Sequence, residues 1–144
     1  PRQFEPPKPG LALGVPYGDR ASLLGLDAST NTLAPGETLN ARLYWRAEAE
    51  SELDYTVFFQ LPGPDGRLYG QVDQQPGAGA YPTSGWLPGE YLSDDYSITL
   101  AAEAPPGDYQ IAIGLYDPQT GQRLPVTAGD CQPDVCLLPG LTVP

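Results

Sequence analysis

Residues 39–47 read LNARLYWRA, and their side chains alternate without a break. Leu39, Ala41, Leu43, Trp45 and Ala47 fall on one face, and Asn40, Arg42, Tyr44 and Arg46 on the other. Successive side chains of a strand point to opposite faces, so this stretch has one dry face and one wet face. The same period returns at residues 55–61, where Tyr55, Val57, Phe59 and Leu61 stand opposite Thr56, Phe58 and Gln60. PGPDGR follows as a hairpin loop with Asp65-Gly66 as its turn, and 67–72 is the return strand. Further strands are predicted over 90–100, 109–116, 123–126 and 137–143, with Pro125 marking its strand as an edge. No segment carries a helical stripe of period 3.6.

Roughly seven to nine short strands with regular turn signals predict an all-β, antiparallel β-sandwich. Pro106-Gly107-Asp108-Tyr109 resembles the tyrosine corner of immunoglobulin-like and fibronectin type III domains, where a strand-initial Tyr bonds back to the preceding connection. The expected fold is therefore immunoglobulin/fibronectin-III-like, with an eight-stranded jelly roll as the alternative. Eighteen prolines and 17 glycines approach a composition typical of disorder, but they sit between patterned segments, as turn residues do. Residues 1–18, PRQFEPPKPGLALGVPYG, read as a Pro-rich linker or extended arm, and 19–144 as a single sandwich domain. A sequence that starts at Pro1 and holds no methionine reads as part of a longer protein.

The net charge of −11, with 18 acidic residues, 7 basic ones and a single lysine (Lys8), argues against a nucleic-acid partner. It equally disfavours an anionic membrane surface. No apolar run approaches the roughly 20 residues that cross a bilayer, so no direct membrane insertion by this piece is expected. Cys131 and Cys136 flank QPDV, a spacing unlike a CxxC pair, and zinc lacks further ligands. Two readings stay open: a local Cys131–Cys136 disulfide in an oxidising compartment, which is the expectation, or two thiols in a reducing one.

With no histidine, Ser-His-Asp and Cys-His nucleophilic sites cannot be built, and no phosphate-binding GxxxxGK[ST] loop occurs. A glycosidase needs two facing carboxylates, with Glu90 or Asp73 as partner to Asp94 or Asp95. Asp94 and Asp95 themselves are strand neighbours pointing apart, so the chain is read as noncatalytic. Asp94, Asp95, Asp130 and Asp134 are candidate Ca²⁺ ligands without EF-hand spacing, and no other cofactor is expected. The loop YPTSGWLPGEY offers Tyr81, Trp86 and Tyr91 as a ligand-contacting surface suited to a carbohydrate. The competing reading makes the same rings structural pins, since Trp and Tyr bury large areas while keeping one polar handle.

LLGLDAS, PGETLNARLYWRA, DYTVFFQL, DGRLYGQVDQQP, YPTSGWLPGEYLSDDYSITL and APPGDYQIAIGLYDPQTGQRLPV occur in that order. Together they resemble an uncharacterised extracytoplasmic C-terminal domain of bacterial multi-pass membrane proteins of the dolichyl-phosphate-mannose mannosyltransferase type. The resemblance covers residues 21–126, and the Cys131–Cys136 segment and the scarcity of basic residues depart from it. It implies a noncatalytic accessory domain outside the cytoplasmic membrane, attached through its parent polypeptide. Its partner would be a carbohydrate, an acceptor protein or a neighbouring domain; the alternative is a purely structural spacer.

Overall fold

The computed structural model describes residues 2–128 and 131–144, and in it the alternating segments are strands. They are β1 (Leu11–Tyr17), β2 (Ala21–Ala28), β3 (Thr38–Ala47), β4 (Thr56–Pro62), β5 (Leu68–Gln74), β6 (Tyr91–Thr99), β7 (Gly107–Tyr116) and β8 (Cys136–Val143). Two four-stranded antiparallel sheets result, ordered β1-β2-β3-β6 and β5-β4-β7-β8. Leu39, Leu43 and Trp45 of β3 meet Val57, Phe59 and Leu61 of β4 and Ile113 and Leu115 of β7 in one shared core. Every predicted dry-face residue of β3 is buried.

Setting β1 aside, β2-β3-β6 facing β5-β4-β7-β8 is the immunoglobulin/fibronectin-type arrangement, in which the chain changes sheet after β3, β5 and β6. The tyrosine corner is present: the Tyr109 hydroxyl donates to the carbonyl of Pro105 at 2.7 Å. Tyr109→Phe removes that bond while keeping the ring, and is expected to cost about 1 kcal/mol in urea unfolding.

The arm expected over residues 1–18 is corrected at Leu11–Tyr17, which is the edge strand β1. Val15 and Tyr17 are core residues, and the Tyr17 hydroxyl donates to the Ile113 carbonyl at 2.7 Å. The residues between its large side chains are Ala12, Gly14 and Pro16, so the strand lacks the apolar–polar contrast that marks the others. Pro16 is tolerated because an edge strand leaves one side of its backbone unpaired. The opposite edge strand on that flank, β8, carries Pro139 in the same way.

Residues 2–10 do stay outside the core, tied down at both ends. The Gly10 amide donates to Asp27 Oδ1 of β2 at 2.5 Å, and the Gln3 carbonyl accepts from the Tyr91 amide of β6 at 2.9 Å. Pro9 packs on Gly25, where a Cβ would stand 2.4 Å from the proline ring. Residues 123–126 are not the expected edge strand. They cross between sheets, bridging Tyr116 through Arg123 and Tyr17 through Val126. The Pro125 carbonyl accepts from Gly18 at 2.6 Å. Phe58, expected on a wet face, is buried because the Arg123 guanidinium lies 4.3 Å from its ring centroid and Gly114 leaves room beneath it.

Candidate functional site

The loop between β5 and β6 contains two short 3-10 turns, Pro76–Gly79 and Thr83–Gly85, and is otherwise irregular. Its order comes from side chains. Trp86 is only 3% exposed, its ring centroid 6.5 Å from that of Trp45, and its Nε1–H donates to the Tyr81 carbonyl at 2.9 Å. Thr83, also buried, donates through Oγ1 to the Leu53 carbonyl and accepts from the Tyr55 amide at 2.7 and 2.9 Å. The Ser84 amide donates to Asp54 Oδ1 at 3.0 Å. Thus the loop is sewn to the β3–β4 connection at Thr83 and Ser84.

Two buried carboxylates complete the fastening. Glu90 Oε1 accepts from the Leu87 amide at 2.9 Å and from Arg2 Nη1 at 2.6 Å, so its charge is paired by the N-terminal arm. Asp94, on the dry face of β6, accepts from the Gly77 amide at 2.7 Å and from the Tyr96 phenol. Burial pushes the Asp94 carboxyl above its ordinary value, while hydrogen bonds from Tyr96 and Gly77 pull the other way. A carboxyl raised in the folded state favours folding most when protonated, and that contribution fades as pH rises through its folded value. Asp94→Asn is therefore expected to gain on the wild type as pH rises above the ordinary carboxylate range, as read by urea midpoints across a pH series.

Tyr81, Trp86 and Tyr91 do converge on one end of the sandwich, in three different states. Trp86 is a pin, its ring packed into the end of the core. Tyr81 is 55% exposed. Tyr91 is half-buried at the start of β6 and shares with Tyr81, Gln3 and Glu90 a recess of about 220 Å³. A second recess of about 350 Å³ lies between Tyr81, Pro82, Trp86 and Arg2. Beyond it opens a groove of about 800 Å³ lined by Leu53, Leu87, Arg2, Arg20, Glu50 and the edge of Trp86. Leu53, Tyr81 and Leu87, three of the six large apolar side chains exposed among the described residues, ring Trp86.

The remaining candidates are dispersed. Asp95 points away from Asp94, as alternation requires, and is held below the usual carboxylate range by a two-pronged bond from Arg42 at 2.7 and 3.2 Å. Asp134 lies 3.5 Å from Arg123. Among the described residues no three acidic, Cys or His side chains gather around one point. Asp130 lies outside the described residues. Cys131 and Cys136, the pair expected to bond, stand with Sγ atoms 2.7 Å apart, both unbridged. Burial pushes the Cys136 thiol up to about 12, with its neighbour Cys131 adding to the shift.

Leu53, Leu87 and Arg2 went unmarked in the sequence because nothing local shows that a charged loop and a Pro-rich arm meet. Asp94 did leave a signal, an acid in phase with Tyr96 and Ile98 on a dry face.

No protein-family model matches the chain, and no curated protein does. Among solved structures, the C-terminal domain of wzt superposes with a TM-score of 0.55 at 13% identity, over 95% of this chain and 82% of that one. The CARDB domain of the PF1109 protein from Pyrococcus furiosus, crystallised in complex with di-metal ions, gives 0.46 at 12%, over 83% and 84%. At such identity the first likeness speaks to fold, a β-sandwich. No helix among the described residues is long and apolar enough to cross a membrane.

Proposed function

We propose that the domain is a noncatalytic accessory module that uses its loop end to contact a protein surface, a neighbouring domain of its own polypeptide. The observation that carries this is the ring of exposed Leu53, Tyr81 and Leu87 around a pinned Trp86, on an otherwise strongly acidic molecule. Apolar side chains held on a rigid loop are suited to a protein partner, because little order has to be gained on contact. Leucines lack the flat faces that sugar rings stack on, so the carbohydrate reading retains Tyr81 and the half-buried Tyr91. The pinning of Trp86 also favours a second reading, the structural spacer. The noncatalytic character is supported by the missing histidine and by the engagement of Glu90, Asp94 and Asp95 in structural bonds.

A photo-crosslinking side chain at position 87, compared with one at position 68, separates these readings in the full-length polypeptide. Leu68 is a similarly exposed leucine on β5 and so a fair control. The contact reading expects crosslinks from 87, at one defined site, well above those from 68. Equal, scattered yields would leave the spacer. An oligosaccharide that protects position 87 and loses its effect in Tyr81→Ala would instead favour the carbohydrate.

The same reading places the domain outside the cytoplasmic membrane, where an oxidising environment would join Cys131 and Cys136. A disulfide oxidant such as oxidised glutathione takes two electrons from the thiols, whose two protons leave as the S–S bond forms. Exported protein is expected to weigh about 2 Da less than the reduced chain and to resist alkylation when denatured. Two alkylated thiols in that material would remove this support for the location.

A further inference from the structure

We infer that Asp94 is the positioning residue for Tyr81, acting through the backbone of Gly77; this rests on the reading of the loop end as a contact surface. Asp94 is only 2% exposed and sits one strand position from the ladder partner of Tyr44, beneath the Pro76–Gly79 turn. One carboxylate oxygen accepts from the Gly77 amide at 2.7 Å, and the other from the Tyr96 phenol. Gly77 has φ +67°, and Ala78 follows at φ +54°, the single non-glycine residue in the left-handed region among those described. Such a pair does not hold itself in place; an L-residue in this region is unfavourable unless its surroundings fix it.

Tyr81 rests directly on that kink. A Cβ at Gly77 would stand 2.3 Å from Cδ2 of the Tyr81 ring, so the ring lies on the bare glycine. The Tyr81 amide donates to the Pro76 carbonyl at 3.0 Å, and the Ala80 amide to the Gly77 carbonyl at 3.1 Å. Moving Gly77 therefore moves the platform under the exposed ring. Around Asp94, β6 contributes Tyr96 and the outward Asp95, itself paired to Arg42, and β5 contributes the neutral Gln74. Of the groups that bond to Asp94, the Gly77 amide alone belongs to the loop.

The test is amide hydrogen exchange at Gly77, read together with the position-87 crosslink, in Asp94→Ala, Asp94→Asn and Tyr96→Phe. Asp94→Ala is expected to speed Gly77 exchange about tenfold or more and to lower the crosslink yield. Asn keeps an oxygen for Gly77 and an NH₂ for the phenol, so it is expected to restore both readouts. Tyr96→Phe leaves the Gly77 bond and should leave both unchanged. If Asp94→Ala fails to fold, Asp94→Leu fills the dry face without an acceptor and serves the same purpose. Unchanged Gly77 protection in the acceptor-free variant overturns the inference, whatever the crosslinks do. Lost protection beside a wild-type crosslink no better than that from position 68 leaves the positioning intact and sinks the contact surface.

Discussion

Trp86→Ala is expected to cost about 3–5 kcal/mol of unfolding stability, because a buried indole is replaced by a cavity beside Trp45. The effect has two separable parts. The ring fills space at the end of the core, and its Nε1–H holds the Tyr81 carbonyl at 2.9 Å. Trp86→Phe keeps most of the first and loses the second, so it should sit well above the alanine variant. Urea unfolding of the two variants measures the split. Proteolysis beside Tyr81 then reports whether the loop loosens before the sandwich does: its other ties flank that residue, Gly77 to Asp94 before it and Thr83 and Ser84 after it. If Trp86→Ala loses less than about 1 kcal/mol, the indole is not a pin and the structural account of the loop is wrong.

Gly114→Ala should be strongly damaging for a change of a single hydrogen to a methyl. Gly114 lies on β7 opposite Phe58 of β4, and a Cβ there would stand 2.1 Å from two atoms of the Phe58 ring. The ring cannot step aside freely, since the Arg123 guanidinium covers it and Tyr116 flanks it at 6.3 Å between centroids. Overpacking of this kind costs about 1–3 kcal/mol, and this contact is close enough to reach the upper end. Adding Phe58→Leu should recover part of the loss, giving a coupling energy in a double-mutant cycle. Gly85→Ala is the matched control, because a Cβ there meets nothing within 4 Å; it should stay within about 0.5 kcal/mol of wild type. A control as damaging as Gly114→Ala would mean that contact with the ring does not set the cost.

Strands with polar residues on one face were plain in the sequence. β3 occupies Thr38–Ala47 against an expected 39–47, and β7 occupies Gly107–Tyr116 against 109–116. β1 was hidden because small residues alternate with large ones there, and hydropathy contrast vanishes. Phe58 was assigned to water because alternation reports which face a side chain takes and is blind to what later covers that face. Arg123, 65 positions on, supplies that cover. The aromatic loop divided in the same way. Its residue types announced that rings were important, but whether Trp86 faced inward depended on Trp45, Thr83 and the distant Arg2. Residue type was local information, while burial was set by pairings far apart in the chain.

The prolines of the two flanking strands bear on how copies of this domain behave when crowded. An open strand edge is a template for a second chain, and crowding turns such templates into fibres. Here Pro16 and Pro139 interrupt both edges on one flank, and the residues of 123–126 bind across the seam between them. Molecules meeting by that flank would find no continuous ladder to extend, and their shared negative charge would keep them apart. Side chains at the loop end then offer a contact that can be specific and reversible.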